Sequence, residues 1–510
     1  MKNLTHFLNP KNWHLSVWGT VCLVGLIMSS YAWIVSSPTG NSPDEAFHEA
    51  SIWCPTPIEQ YCATVNDGIH SYPLVLVPQT VGSSECFNHD QSRSAACSNH
   101  LSDNLMIPTG RYDAGTYPGY YYDIMHVFVE HDVDRATLVM RWVNVGLAAL
   151  IYGGIFFLAS PIGRRLVVYT LLGTAVPLVT FFSTSVNPSG WGINGVVAAW
   201  FGLHLGLSSA LSKLRRTALL GLSVIGALMA AAARSDSAAY LIVVCCVIFV
   251  YHWPTFIHRF RLVVPLGVIS ILGLLSYMKG GQGTVVTEGM YQPTVLVGDP
   301  IRVLAFNIFQ TPNFFTSFWF FSLGSLDTPV PAITGTLAAA VTIGLCWWGM
   351  SRNKMNFRHI LCLVGLAVGI VAFPLATLEV TLTYYPNLIQ VRYLAPLIIV
   401  FVGVCLADRA KNTAPLSRTG TIWFYILICV ANTYALYTLI QRYTRGITGT
   451  STLNLNIGVQ WWRGGGPSPM STWILGSLGF FLMSTILFAV RLQPSRVIET
   501  ESAEILPAAE

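Results

Sequence analysis

The sequence predicts an all-α polytopic membrane protein with about 12 transmembrane helices and a large first extracytoplasmic loop. Three observations carry this expectation. Of 510 residues, 53% are hydrophobic and only 10% are charged. Soluble domains run near a quarter charged, so these charges are too few to cover a water-exposed body of this size. The apolar residues gather into runs near the length that crosses a bilayer, about 20 residues. The loops between the runs alternate between basic and non-basic. The net charge of +5 is scattered along the chain, which argues against a nucleic-acid partner and for the lipid bilayer as the main one.

Spans are expected at 14–36, 137–160, 166–183, 191–211, 217–233, 237–252, 262–278, 332–350, 359–378, 394–407, 419–440 and 471–490. Arg164 and Arg165 follow the second, and Lys213, Arg215 and Arg216 the fourth. Arg259 and Arg261 follow the sixth, Arg352, Lys354 and Arg358 the eighth, and Arg409, Lys411 and Arg418 the tenth. Every even-numbered exit is basic, so the positive-inside rule places both termini in the cytoplasm. The first run exceeds a signal-peptide core, and "SSPTGNSPDE" offers no A-x-A cleavage site. Residues 1–36 therefore read as a retained signal anchor. An outer loop (37–136), spans two to seven (137–278), an outer aromatic segment (279–331), spans eight to twelve (332–490) and a cytoplasmic tail (491–510) follow.

The first outer loop, about 100 residues, is too long for a bare connection. It is acidic and holds Cys54, Cys62, Cys86 and Cys97, while the other seven cysteines fall in apolar runs. Four cysteines outside the cytoplasm suggest two disulfides. Three connectivities can be drawn, and nearest-neighbour pairing is expected. The loop ends in a tyrosine-rich stretch, "GRYDAGTYPGYYYDIMHVFVEHDVD", whose rings read as interfacial anchors that could also stack on sugars. Segment 279–331 carries "FNIFQTPNFFTSFWFF", which suits interfacial or re-entrant helices near a lipid tail; a span at 301–323 would invert the later basic loops. Trp461, Trp462 and Arg463 in the last outer loop read as anchors.

Ionisable residues in or beside apolar spans are costly and ask for a reason. Four such places fall toward the outer side: Asp44 with Glu45, Arg141, Arg234 with Asp236, and Arg392 with Tyr393. Snorkelling, a local ion pair and interfacial anchoring are the structural readings of the arginines. Converging on one cavity, the same residues make chemistry. Arginine grips phosphate through a planar fork, and a carboxylate can take a proton from an attacking hydroxyl. That pairing suits transfer from a lipid phosphate.

The stretch "SPDEAFH" resembles the P-D-E-x-x-H signature of a large group of bacterial polytopic membrane proteins of unknown function, related to the GT-C superfamily of glycosyltransferases. "TSVNPSGWG" is similar to that group's asparagine-proline segment, "ARSDS" to its short charged turn, and "LIQVRYLAPL" to its late Q-x-R-Y element. The matches run in order from about residue 14 to residue 410. The resemblance implies a GT-C-like fold in a bacterial plasma membrane, with an extracytoplasmic active site. It implies inverting sugar transfer from a polyprenyl-phosphate-sugar donor to a cell-envelope glycan, glycolipid or protein acceptor. By motif position Asp44 would be the general base, Glu45 would orient the acceptor or hold a metal, and His48 would support them by hydrogen bonding. Arg392, then Arg234 and Arg141, would bind donor phosphate, with Tyr393, Gln390, Asp236 and Asn187 lining the substrate. The cysteine-bearing insert departs from the group's pattern and could set the acceptor.

Other readings compete. "SPDE" is also a good helix start, with Ser42 as N-cap, Pro43 first and Glu45 third. His48 lies one helical turn after Asp44, which capping does not explain. A divalent cation, Mg or Mn, could use Glu45, His48, Asp132 and Asp134. A lipid-linked glycan transporter or flippase would show internal repeats and mid-span charges, which this sequence lacks. A glycan polymerase or ligase would share the outer arginines.

Overall fold

A computed structural model describes residues 15–69, 72–207, 211–258, 260–279, 299–352, 355–386, 389–407, 415–447 and 452–493. The tail from 494, residues 280–298, and Arg259, Lys354, Arg409 and Lys411 lie outside the described residues. Each of the twelve expected segments coincides with a helix or a broken helix. Eight are long and apolar enough to cross a membrane, from Ser16–Val35 to Pro469–Leu492, which makes the chain a multi-pass membrane protein.

The other four differ in kind. Pro161–Gly173 and Pro177–Ser183 form one segment bent by 97°, where Pro177 opens the second half. Pro188–Gly206 is buried along its whole length, so its surroundings are protein rather than lipid. Ser235–Tyr251 and Val391–Leu406 have 17 and 16 residues, short of a full span. Small residues let some helices pack almost backbone to backbone. A Cβ at Gly195 would stand 2.5 Å from the carbonyl oxygen of Gly226, and one at Gly25 would stand 2.3 Å from the amide of Met483.

The outer loop is a small lobe, and it adds a few short strands to a mostly helical chain. It contains an antiparallel sheet, β1 (Thr64–Val65), β2 (Leu74–Pro78) and β3 (Met106–Thr109), in that order. Val75 and Val77 of the central strand are fully buried, opposite Thr109 and Ile107. A run of five residues, "LVLVP", is a full strand by length but a weak signal inside a membrane sequence. Short helices Glu45–Trp53 and Tyr120–His126 complete the lobe.

Disulfides join Cys54 to Cys62 and Cys86 to Cys97, the nearest-neighbour pairing. Cys54 is also the C-terminal cap of helix Glu45–Trp53. Replacing Cys54 and Cys62 by serine is expected to destabilise the lobe by about 2–4 kcal/mol. Faster limited proteolysis within 37–136 is the readout, and unchanged resistance would contradict it.

Among the described residues of the second outer segment, Pro300–Phe309 and Thr311–Thr316 are two short helices rather than one span. The segment is tied to the lobe through Arg442. Arg442 pairs with Asp327 at 2.9 Å and donates to the carbonyl of Phe87 at 2.7 Å, while the amide of His89 donates to Asp327 at 3.0 Å.

Candidate functional site

The site begins with one turn of backbone. The first helix ends at Val35, and residues 36–43 run on fully buried. Asp44 follows, in a left-handed conformation with φ 62° and ψ 14°. Aspartate is among the few non-glycine residues that tolerate this region. From Ser36 to Trp53 it is the only residue that is not buried. The turn thus presents one carboxylate, 40% exposed, on a surface otherwise closed.

The helix starts later than a Ser42 cap requires. Asp44 is the N-cap residue, makes no side-chain cap, and the helix opens at Glu45. The Ser42 hydroxyl has no hydrogen-bond partner, whereas the Ser42 amide donates to Glu45 Oε2 at 2.8 Å. The first helical residue thus reaches back to hold the chain before the helix.

Glu45 is consequently a structural residue, not an acceptor or metal ligand. Its Oε1 takes the amide of Val186 at 3.0 Å and Arg141 at 3.1 Å, and the pair is fully buried. Arg141 is engaged through both terminal nitrogens. Its terminal nitrogens donate to the carbonyls of Ile34, Ser37 and Pro38, at 3.2, 2.6 and 2.8 Å, and to Asn41 Oδ1 at 2.9 Å. Both snorkelling and phosphate binding are replaced by a clamp that fixes the chain entering the turn. Glu49, also fully buried, is pushed well above the usual carboxylate range by burial and by the charge of Glu45.

Two more sequence-selected segments grip the turn from the other side. Asn187 caps its own helix through the Ser189 amide and donates from Nδ2 to the Pro43 carbonyl at 2.8 Å. Arg392 donates to the same carbonyl at 3.0 Å, to Asp44 Oδ2 at 2.5 Å and to the Tyr393 hydroxyl at 3.1 Å. Asn187 is therefore a support of the turn rather than a substrate contact. Gln390 stands just ahead of helix Val391–Leu406, its Oε1 without a partner.

A second charged group lies alongside. Arg234 is held by Asp236 through Nε and Nη2, each at 3.0 Å from a carboxylate oxygen. Its guanidinium lies over the Tyr393 ring at 4.3 Å and donates to the Tyr117 hydroxyl at 3.4 Å. Tyr117, Tyr121 and Tyr122 correct the anchor reading. Tyr121 packs edge-on against Trp191 at 5.1 Å, and Tyr117 and Tyr122 flank His48.

His48 sits behind Asp44, its Nδ1 hydrogen-bonded to the Tyr122 hydroxyl at 3.0 Å and its Nε2 unpartnered. Burial, aided by Arg392, Arg234 and Arg111 and opposed by Asp44, lowers its pKa to about 3. The imidazole is neutral at physiological pH. In the unfolded chain the same group takes a proton near pH 6.5. The unfolded state therefore binds more protons between about pH 6.5 and 3, and stability falls as pH drops through that window, by up to about 5 kcal/mol from this residue. Thermal unfolding from pH 7 to pH 4 is expected to show this slope, and His48→Gln is expected to flatten it. An equal slope in the variant would contradict a neutral buried His48.

Burial alone would raise the Asp44 pKa, but Arg392, with smaller help from Arg111, holds it below the usual carboxylate range. Asp44 is therefore ionised at neutral pH. Arg111 is a charged neighbour of Asp44 that sequence reasoning missed. It stands 4.0 Å from Asp44 Oδ1, on the open side of the carboxylate. It lies in an irregular stretch after β3, with no periodicity or costly apolar setting to mark it.

The metal set does not assemble. Asp132 caps helix Val133–Leu158 by accepting from the Arg135 amide. Asp134 pairs with Arg463 at 3.0 Å and accepts from Thr39 at 2.7 Å. Among the described residues no three His, Cys, Asp or Glu side chains are grouped to hold an ion. Trp461, 5% exposed, is packed inside rather than set as an interfacial anchor. Cavities of about 240 and 360 Å³ on the lobe, the first lined by Asp134 and Trp461 and the second by Trp53 and His126, are not lined by Asp44.

No curated protein and no solved structure matches the chain. The family described as Predicted membrane protein (DUF2142) matches residues 27–401. That range is well over half of the chain and includes Asp44, Arg141, Asn187, Arg234 and Arg392, so the protein belongs to this family of membrane proteins.

Proposed function

We propose that the protein is a GT-C-like glycosyltransferase of about 12 spans that transfers a sugar from a polyprenyl-phosphate-sugar donor on the extracytoplasmic face. The acceptor is an envelope glycan, glycolipid or protein. One observation carries this reading: three segments far apart in sequence, at Arg141, Asn187 and Arg392, clamp a single turn so that Asp44, its only open side chain, stands ionised beside Arg392 and Arg111. Ends of apolar helices rarely invest several buried ionisable groups without function. The basic residues Arg164, Arg165 and Arg215 sit at the opposite ends of these helices, which supports the outward orientation.

The chemistry follows from the arrangement. An acceptor hydroxyl oxygen attacks the anomeric carbon as the bond from that carbon to the phosphate oxygen breaks. Polyprenyl phosphate departs with the bonding electron pair, the configuration inverts, and the hydroxyl proton passes to the Asp44 carboxylate. The guanidiniums around Asp44 offset the charge that grows on the leaving phosphate. Arg392 and Arg234 are the buried part of that positive field, and Tyr393 and Asp236 hold them in place. Purified protein in liposomes, given polyprenyl-phosphate sugars and envelope acceptors, is expected to release polyprenyl phosphate. Absence of release across donors and acceptors, with folded protein, would contradict the proposal.

A further inference from the structure

The three guanidiniums near Asp44 are not equally available. Arg392 is 1% exposed, and its terminal nitrogens are engaged by Pro43, Asp44 and Tyr393. Arg234 is 8% exposed and held by Asp236 in two-point contact. Recruiting either would leave a buried carboxylate or carbonyl unsatisfied, which is costly. Arg111 differs: its side chain is 52% exposed, and its ion pair is with Glu85, itself 24% exposed. Ion pairs open to solvent contribute little and exchange partners cheaply.

The backbone of Arg111 is nevertheless fixed. It follows directly on β3, and its amide donates to Thr109 Oγ1 at 3.1 Å. The next residue, Tyr112, bonds the Pro73 carbonyl at 2.6 Å, and the amide of Asp113 bonds Ser51 Oγ at 2.8 Å. Ser51 belongs to the same helix as His48. Arg111 thus combines an anchored backbone with a loosely held guanidinium, 4.0 Å from the exposed oxygen of Asp44. Glu85 is anchored too, one residue before the Cys86–Cys97 disulfide.

We infer that Arg111 is the guanidinium that receives the phosphoryl group of a ligand beside Asp44, and that Glu85 is its resting counter-ion, displaced when the phosphate binds. The inference rests on the reading of the Asp44 turn as a phosphate-handling site. It names the ligand chemistry as a phosphoryl group beside Asp44, carried either by a prenyl lipid or by free phosphate. A planar fork suits such a group, and a carboxylate occupying that fork competes with it.

Direct binding of farnesyl phosphate and of inorganic phosphate to the full-length protein in detergent tests this. Arg111→Ala is expected to weaken farnesyl phosphate at least tenfold, with Arg111→Lys in between. Glu85→Gln is expected to tighten it several-fold, because the competing carboxylate loses its charge. A merely structural pair would give the opposite pattern: both substitutions would lower thermal stability alike, and neither would tighten binding. That result would overturn the inference. Competition by inorganic phosphate at similar concentrations would mark the phosphoryl group alone as the ligand; weak competition would mark the lipid headgroup with its tail. If Arg111→Ala binds like the unchanged protein while Arg392→Lys does not, the Arg111 role fails and the wider reading stands. If the unchanged protein binds neither probe, both fail.

Discussion

Asp44→Asn is expected to lower sugar transfer by about 10²–10⁴-fold, the range associated with losing a positioned general base. The change is conservative in two respects. Asparagine also tolerates the left-handed region that Asp44 occupies, and its side-chain oxygen can still accept from Arg392. The charge is lost, and with it the charge-assisted hydrogen bond at 2.5 Å. Because the carboxylate is 40% exposed, solvent screens the pair, so the stability cost should be only about 1–2 kcal/mol. Activity collapsing while the melting temperature moves by a few degrees is the expected signature. Full activity in folded Asp44→Asn would remove the residue from the reaction.

Arg141→Ala is expected to do the reverse and destroy the fold rather than the chemistry. It strands Glu45 and the carbonyls of Ile34, Ser37 and Pro38, all buried. Removing one partner of a buried ion pair costs about 3–5 kcal/mol, a large part of the stability of an ordinary domain. Size-exclusion profiles from detergent extracts should show aggregated or absent protein. A monodisperse, normally stable Arg141→Ala that loses only donor affinity would restore the phosphate role that the clamp geometry denies it.

These two substitutions mark where sequence reasoning succeeds and where it stops. The helices could be read because apolar runs and basic loops are long, repeated signals. The meeting of Asp44, Asn187, Arg234 and Arg392 at one pole could be anticipated from their places at the ends of those runs. Which arginine does what could not, because a charge in an apolar setting announces its cost but not its partners. Arg141 and Arg392 look alike in sequence, yet one is bound up by backbone carbonyls and the other meets the open carboxylate. Glu45 and the Asp132–Asp134 pair look like ligands until their capping and ion-pair contacts are seen. Arg111 and the sheet lie in irregular or very short elements, where periodicity has nothing to act on.

Cryo-electron microscopy of the protein with a bound polyprenyl phosphate tests the central claim most directly. The account predicts phosphate density at the pole of the Asp44 turn, within contact distance of Arg111 and beside Asp44. Density at the opposite pole, among Arg164, Arg165 and Arg215, would contradict it.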